Sequence, residues 1–379
     1  MTREGTAASP TYRARHPVAY LTYPGADAAH GLGRLPGPLG WLPQHTLGHL
    51  PLPPTVTATL RSEDNPERPA GWVITLPLTV DDLRAGSARA TRTILRAVSR
   101  AQALGARTVG LGGLTAQVTG NGAALRGVED VGFTTGTSYT AALTFLLIQR
   151  VLAHCPVHTR IAVVGAGTGV GQSVATLLAR HTAHPMLLVG RHEQQVRAVQ
   201  ASLGAGRAQI TTELSRLNAC GLVVLLSPAA TGLCAAHLGP DATVLDATSP
   251  RVSWPQLLLD RPDVRIVDGP QACVPGIRHP GPGTTLPTCL AETLLLGLSG
   301  HEGHFTLGEP APGQAQTMLN LAARFSRLGF VPAAPQSFGA PVNLNRRFEQ
   351  DAPAPVERRA QTRRGTGTRP IFPMANTTP

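Results

Sequence analysis

The sequence contains no lysine, and all 33 of its basic residues are arginine. This absence excludes mechanisms that depend on a lysine side chain: the P-loop of nucleoside triphosphatases, Schiff-base and pyridoxal chemistry, the Tyr-Lys pair of short-chain dehydrogenases and the lysine of shikimate-type dehydrogenases. Acidic residues are also few, 22 in 379, so the formal net charge is +11. A basic balance suits nucleic acid or an acidic protein partner, but it also arises from composition alone, so charge by itself selects no function.

Cysteine and long apolar runs are scarce as well. Five cysteines, an odd number without a CxxC pair, indicate free thiols in a reducing cytoplasm. The longest nearly apolar run, Ala141 to Ile148, is far shorter than the roughly 20 residues of a membrane-spanning helix. The first residues lack the apolar core of a secretion signal. We therefore expect a cytoplasmic protein without a membrane span.

Metal-binding patterns are incomplete. His45 and His49 have the spacing of a zinc motif, but Thr46 stands where its glutamate should be. The segment His301-Glu302-Gly303-His304 has the glutamate and is one residue short. The sequence therefore predicts no metal site.

Apolar segments alternate with amphipathic ones through the second half of the chain, which is typical of a parallel, doubly wound sheet. The predicted strands are Arg160–Val164, Met186–Val189, Leu222–Leu226, Thr243–Asp246 and Val264–Asp268. An earlier α/β region includes a helix predicted over Val80–Leu104. The predicted divisions are a disordered leader at 1–16, an α/β substrate domain at 17–155, a Rossmann-like domain at 156–286, C-terminal helices that pack back and close the interdomain cleft at 287–336, and a flexible, arginine-rich tail at 337–379.

A glycine-rich turn follows the first strand of the second region, in the sequence Gly165-Ala-Gly167-Thr168-Gly169-Val170-Gly171. A strand, such a turn and a following helix form the context of a dinucleotide-binding loop, in which the pyrophosphate lies on the amino end of the helix. The alternative, glycines that serve close packing alone, is less favoured. Gln172 stands where a P-loop needs its lysine, so a triphosphate site is excluded.

The end of the next strand distinguishes NADP from NAD. An acidic residue there binds the ribose hydroxyls of NAD, but this chain has Arg191, whose guanidinium suits a 2′-phosphate. An arginine that only faces solvent is the alternative. We therefore predict NADP as cofactor, and we include Ser227, directly after the strand Leu222–Leu226, among its binding residues.

Cys289 is the candidate nucleophile. It follows Pro287 and Thr288 at the start of an apolar helix, where the helix dipole should lower the pKa of a thiol. Glu292, three residues later, could orient or deprotonate a neighbouring group, although a glutamate in a first helical turn also simply complements the dipole. For the other four cysteines, inert packing is the favoured interpretation.

Four arginines spaced three, four and four residues apart form a stripe on the first long helix: Arg89, Arg92, Arg96 and Arg100. Such a stripe is usually a solvated face. It could also receive an acidic carrier protein by complementary charge.

Several motifs, in order and spacing between Val18 and Phe338, resemble the long-chain acyl-[acyl-carrier-protein] reductases of cyanobacterial type and the related bacterial group of predicted dehydrogenases. The glycine loop is one of these motifs. The others are Leu76-Pro77-Leu78-Thr79, the unit Thr91 to Leu114, Phe133-Thr134-Thr135-Gly136, Val267-Asp268-Gly269, Cys289-Leu290-Ala291-Glu292, Phe305-Thr306-Leu307-Gly308 and Leu328-Gly329-Phe330.

The resemblance implies an NADPH-dependent reduction of a fatty acyl thioester, carried by acyl carrier protein or coenzyme A, to an aldehyde. It makes Cys289 the acylated residue and places Thr135 and Gly136 near the cleft. Two alternatives stay open. One is an NADP-dependent dehydrogenase of a small hydroxy or amino acid in which the thiol is structural, and the other is a non-catalytic NADP-binding protein whose arginine-rich tail binds phosphate, although nucleic acid is a less favoured partner.

Overall fold

A computed structural model of the chain describes residues 16–37, 52–227, 232–248, 251–311 and 313–345. The predicted leader, apart from His16, lies outside these residues, as do His45, His49 and the tail beyond Asn345. The strands are β1 (Val18–Thr22), β2 (Thr55–Ser62), β3 (Asn65–Thr75), β4 (Thr108–Leu111), β5 (Gly132–Thr134), β6 (Ile161–Val164), β7 (Met186–Val189), β8 (Ala208–Thr211), β9 (Leu222–Leu225), β10 (Thr243–Asp246), β11 (Arg265–Asp268), β12 (Ala272–Cys273), β13 (Ile277–Arg278), β14 (Thr285–Leu286), β15 (Val331–Pro332), β16 (Gln336–Ser337) and β17 (Ala340–Pro341).

The α-helices connect these strands and cover the sheets. They are α1 (Val80–Arg84), α2 (Ala88–Ala103), α3 (Leu114–Val118), α4 (Thr137–Leu152), α5 (Gly169–His181), α6 (Glu193–Leu203), α7 (Gln256–Asp260), α8 (Thr288–Ser299) and α9 (Gln314–Arg324). Short 3₁₀ helices cover Ala28–His30, Ala123–Leu125, Leu214–Ala219, Ala235–His237 and Ser326–Leu328.

The first sheet has the strand order β13-β2-β3-β1-β4-β5. Strands β3, β1, β4 and β5 are parallel, whereas β2 and β13 join one edge in antiparallel pairing. Helix α2 covers one face, where Ile94 and Val98 are buried, and α8 covers the other. The confirmed α/β fold class therefore includes C-terminal helices that pack back on the first sheet.

The second sheet is entirely parallel, with the order β8-β7-β6-β9-β10-β11. Counted from β6, this is the 3-2-1-4-5-6 order of a Rossmann fold. The order reverses between β6 and β9, and ligands of such sheets bind at this point, beyond the carboxyl ends of the strands.

Helix α4 joins the two sheets and contributes to both cores. Leu143 belongs to the core of the first sheet, and Ile148 belongs to the core of the second. A helix between two cores is apolar on most of its surface, which explains the long apolar run seen in the sequence.

The structure corrects three predictions. The helix predicted over Val80–Leu104 is two helices, because Gly86 has a left-handed φ of +59° and the Ser87 side chain caps α2. Strands β5, β8 and β12 to β17 were not predicted from the sequence. Residues 337–345 were predicted as part of a flexible tail, but they include the turn and second strand of a hairpin formed by β16 and β17. In this turn, which we call the hairpin end, the amides of Phe338 and Gly339 donate to the Asp268 carboxylate.

Candidate functional site

A cavity of about 290 Å³ opens at the carboxyl ends of β6 and β9, the topological switch point of the second sheet. It lies between the glycine loop and the first turn after β7. Five of the predicted cofactor residues line it together: Gly165, Gly167, Thr168, Arg191 and Ser227. Apolar side chains complete the wall: Val164, Val189, Val196 and Leu214.

The glycine loop fits close approach of a ligand to the backbone. Gly165 has a φ of +91°, and a Cβ at this position would lie 2.6 Å from Cβ of Ser227. A Cβ at Gly171 would overlap with the carbonyl oxygen of Gly165. The Thr168 side chain caps α5 by accepting from the Gly171 amide at 3.1 Å. The loop therefore has the features that a dinucleotide-binding turn requires.

The remaining predicted loop residues, Gly169, Val170 and Gly171, do not line this cavity. The Gly169 amide, at the amino end of α5, donates to Oε2 of Glu309 at 2.6 Å. A carboxylate therefore lies on the helix end where the sequence predicts a pyrophosphate. Glu309 is exposed, and its neighbour Gly308 has a left-handed φ of +75°. A dinucleotide of the expected type fits this structure once the Glu309 carboxylate has left the Gly169 amide.

Arg191 lies where the sequence predicts it, just beyond the end of β7. Its side chain is exposed and lines the cavity. Arg197, further along in α6, is instead paired with Glu193 on the same helix. Arg191 is thus the guanidinium at the cavity mouth.

A second cavity, of about 540 Å³, lies between the carboxyl edges of the two sheets, and its wall includes the end of β10, the strand next to β9. Residues of the first sheet's loops line one side of it, among them Asp27, His30 and Thr135. Residues at the ends of β10 and β11, among them Asp246 and Asp268, line the other side. We call this cavity the cleft.

Cys289 lines the cleft, partly buried, at the start of α8. The amino end of α4 meets it there, because Gly136 adopts a φ of +80° and a Cβ on it would overlap with Cα and Cβ of Cys289. Thr140 and Thr288 join the two helices by a hydrogen bond of 2.6 Å between their hydroxyls. The structure therefore brings Cys289, Thr135 and Gly136 to one place, as the resemblance implies.

The expectation of a lowered thiol pKa is wrong. Burial, with the nearby Asp27 carboxylate, raises the pKa of Cys289 to about 12, and this outweighs the amides of Cys289 and Leu290 at the helix start. The hydroxyl of Tyr20 lies 3.0 Å from Sγ of Cys289 and donates to Oδ2 of Asp27 at 3.3 Å. Cys289 is therefore a protonated thiol connected to a carboxylate through one tyrosine.

Asp27 is held at this point by a second hydroxyl. Thr22, at the end of β1, donates to its Oδ2 at 2.5 Å. Burial raises the pKa of Asp27 above its ordinary value, and burial with the same carboxylate raises the pKa of Tyr20. A carboxyl with a raised pKa is a better proton acceptor near neutral pH.

Glu292 is fully buried beneath the cleft and does not line it. Its carboxyl accepts from the Thr134 hydroxyl, from the Tyr139 amide at 2.6 Å and from the Thr306 hydroxyl at 3.4 Å. Burial raises its pKa to about 7 despite these bonds. Glu292, predicted as a catalytic residue, therefore links β5, α4 and α8 by hydrogen bonds and does not reach the cleft itself.

The sequence interpretation missed Tyr20, Asp27 and His30. His30 is 8% exposed and lines the cleft. Burial lowers the pKa of its imidazole, and Gln271 lies near the ring without hydrogen-bond geometry, so neither ring nitrogen is paired with a described residue. An acid in the loop that follows the first strand of an α/β fold, here five residues after Thr22, is the signal that could have identified Asp27.

The other charged groups of the cleft are engaged within the protein. Asp246 accepts from the Ser253 amide at 2.6 Å and from Thr248, and these bonds lower its pKa. Arg251 pairs with Asp268 at 2.6 Å and stacks on the Phe338 ring at 4.5 Å. The hairpin end thus closes this side of the cleft.

The other four thiols, at Cys155, Cys220, Cys234 and Cys273, do not line the cleft. Across the described residues, no group of three or more histidine, cysteine or acidic side chains could hold a metal ion. No helix in the described part of the chain has the length and apolar character needed to cross a membrane.

No protein-family model matches the chain, and no curated protein sequence is similar to it. The resemblance to acyl-[acyl-carrier-protein] reductases therefore stays a prediction. Among solved structures, the chain is similar to a quinone oxidoreductase from Thermus thermophilus, described also in complex with NADPH, at 16% identity over 34% of this chain and 42% of that one, with a TM-score of 0.26.

Two further structural neighbours are an acetophenone reductase from Geotrichum candidum in complex with NAD and an alcohol dehydrogenase from Pyrobaculum aerophilum. The first shares 18% identity over 42% of this chain and 43% of that one, with a TM-score of 0.28. The second shares 17% over 44% and 46%, with a TM-score of 0.29. The chain thus spans under half the length of these three proteins, and scores this low assign it no activity.

Proposed function

We propose that the protein is an NADP-dependent oxidoreductase that reduces an acyl thioester to an aldehyde through an acyl group held on Cys289. The observation that carries the proposal is the position of the Cys289 thiol, which opens on a cleft at the same carboxyl edge of the second sheet as the dinucleotide-type cavity. A covalent mechanism needs a nucleophile at such a position, with a base to accept its proton.

The chain Cys289–Tyr20–Asp27 supplies that base. As Sγ attacks the thioester carbonyl, its proton passes to Oη of Tyr20 while the tyrosine proton passes to Oδ2 of Asp27. The leaving carrier thiolate takes up the proton held on Asp27, passed back through Tyr20, and the Cys289 thiolate that is released with the aldehyde regains a proton from solvent. A thiol with a pKa of about 12 requires such a relay, because almost none of it is thiolate at neutral pH.

The first amides of α8 can stabilise the oxyanion that forms during attack. Helix-start amides lack partners within the helix, and those of Cys289 and Leu290 face the sulfur. Bound NADPH supplies the hydride that reduces the acyl group. Gly165, Gly167, Thr168, Ser227 and Arg191 would hold it, with Arg191 at the 2′-phosphate.

Acyl carrier protein is the proposed donor of the acyl group, and α2 is its proposed docking surface. Arg92, Arg96 and Arg100 are exposed on the face of α2 opposite its buried residues, and Arg89 is half-buried. A row of fixed positive charge steers an acidic partner. Coenzyme A, a smaller anionic carrier, is the alternative.

The decisive experiment is acylation of the purified protein by a thioester, followed by mass analysis of its peptides. We expect one acyl group on Cys289 and aldehyde formation after addition of NADPH. Cys289→Ser should abolish both while NADPH binding persists, since the change is nearly isosteric. Cys155→Ser and Cys273→Ser are matched controls that should retain activity.

A second candidate is an NADP-dependent dehydrogenase of a small hydroxy compound. The observation that favours it is the hydrogen-bonded pair of Tyr20 and Asp27 on the cleft wall, because the tyrosine hydroxyl can serve as general acid toward a carbonyl oxygen without participation of the thiol. Retention of reductase activity toward a small ketone or aldehyde by Cys289→Ser would favour this candidate.

A further inference from the structure

The apolar part of the cleft wall comes from alanine, proline and tyrosine residues. Among described residues, no leucine, isoleucine, valine, methionine or phenylalanine lines it. The cofactor cavity, by contrast, has three valines and a leucine. Long alkyl chains bind where large apolar side chains replace the water around them, so the cleft lacks the lining that a long fatty acyl chain needs.

Two polar groups that line the cleft with Cys289 keep unused hydrogen-bonding capacity. Asp27 receives both of its hydrogen bonds on Oδ2, and Oδ1 has no partner among the described residues. His30, more than nine-tenths buried, has two unpaired ring nitrogens. The remaining carboxylates of the cleft, Asp246 and Asp268, are saturated by protein donors. Unsatisfied capacity is thus concentrated at the Asp27–His30 end.

We infer that the acyl group reduced at Cys289 is short and carries a hydroxyl group, which pairs with Asp27 and His30; this inference rests on the proposed function. A methylene placed against these groups would leave them desolvated and unpaired. A hydroxyl both donates and accepts, and so it satisfies a carboxylate oxygen and an imidazole nitrogen together. The lowered pKa of His30 is consistent with a neutral ring that takes either role.

The test compares three N-acetylcysteamine thioesters, which avoid any contribution from carrier docking: 3-hydroxybutanoyl, butanoyl and dodecanoyl. Acylation of Cys289 and NADPH-dependent aldehyde formation are measured for each. We expect kcat/KM for 3-hydroxybutanoyl to exceed that for butanoyl by at least about tenfold, because a site built to bind a hydroxyl rejects the analogue that lacks it. Dodecanoyl should be the poorest substrate.

His30→Leu should bring the 3-hydroxybutanoyl and butanoyl values close together, mainly through a higher KM for the hydroxylated substrate. His30→Gln, which keeps a donor and an acceptor, should restore most of the preference. The comparison of the three thioesters with the wild-type protein tests the inference even if His30→Leu is insoluble.

The outcomes separate the two proposals. If Cys289 is acylated but the dodecanoyl or butanoyl thioester is preferred over the 3-hydroxybutanoyl thioester, the inference on substrate class is wrong and the thioester mechanism is retained. Failure of all three to acylate Cys289 would overturn both.

Discussion

The two cavities are lined by different kinds of residues. The cofactor cavity consists of a glycine loop, four apolar side chains and one exposed guanidinium, and most of it comes from residues 164–196. The cleft consists of polar side chains together with alanine, glycine, proline and tyrosine residues, from four distant segments near residues 20–30, 113–140, 246–271 and 287–289. Backbone geometry recognises what all dinucleotides share, whereas side chains select one substrate. Changes in the two cavities should therefore affect separate functions.

The largest effect is expected from breaking the proton relay of the cleft. Tyr20→Phe and Asp27→Asn should each slow acylation of Cys289 by about 10²–10⁴-fold, the usual contribution of positioned acid–base groups. NADPH affinity should not change. Stopped-flow acylation against pH checks this: the variants should gain rate with pH as hydroxide ionises the thiol, a rise that the wild type lacks.

Tyr23→Phe is the matched control, because Tyr23 also lines the cleft but makes no hydrogen bond to Cys289. An equal loss in Tyr23→Phe would show that the cleft is simply sensitive to any change, and the relay would be wrong.

A substitution of Glu292 tests how the buried carboxyl that links β5, α4 and α8 contributes to stability. Its pKa is about 7 in the folded protein against an ordinary 4.5, so the folded state holds the proton more tightly. The stability from this group is present below pH 4.5 and lost as pH rises through 7, a difference on the order of 3 kcal/mol. Glu292→Gln should flatten the dependence of the unfolding free energy on pH between about 4.5 and 7.5, measured by denaturant titration. An unchanged slope would contradict the assignment.

Arg191 tests the cofactor cavity. Arg191→Ala should weaken NADPH binding by about 10- to 100-fold and leave NADH nearly unchanged, because a charge-assisted contact contributes roughly 1.5–3 kcal/mol. Fluorescence titration with both cofactors measures the ratio. Arg197→Ala is the control on the helix that follows, and its side chain does not line the cavity. Equal losses for NADPH and NADH would exclude the 2′-phosphate as the partner of Arg191.

Glu309 should give the smallest effect, in the opposite direction. The Glu309 carboxylate accepts the hydrogen bond of the Gly169 amide and so competes with the cofactor for it. Glu309→Gln should therefore tighten NADPH binding by about two- to fivefold, because a charge at a helix end contributes roughly 0.3–1 kcal/mol. Isothermal titration calorimetry resolves this change, and Glu302→Gln serves as an exposed control. Weaker binding in Glu309→Gln would mean that the carboxylate assists the cofactor.

The difference between a locally built cavity and a cleft built from distant segments also explains what could be predicted from the sequence. The loop from Gly165 to Gly171 and Arg191 are read locally, because a strand, a turn and a helix follow one another within about 30 residues. The place of Cys289 at a helix start was predicted for the same reason. Its pKa was not, because Tyr20 and Asp27 are more than 260 positions away in sequence and meet it only through the packing of α8 on the first sheet.

Strand β13 lies at the edge of the first sheet, although it follows the entire second sheet in the chain. During synthesis, residues 18–134 leave the ribosome long before the strand at Ile277–Arg278 and the helix at Thr288–Ser299 that complete their core. The second sheet is formed by one continuous stretch, from Ile161 to Asp268, and can close as soon as it emerges. The usual order, amino-terminal domain first, is thus reversed here: the face of the first sheet that α8 covers is completed only after the entire second sheet has been synthesised.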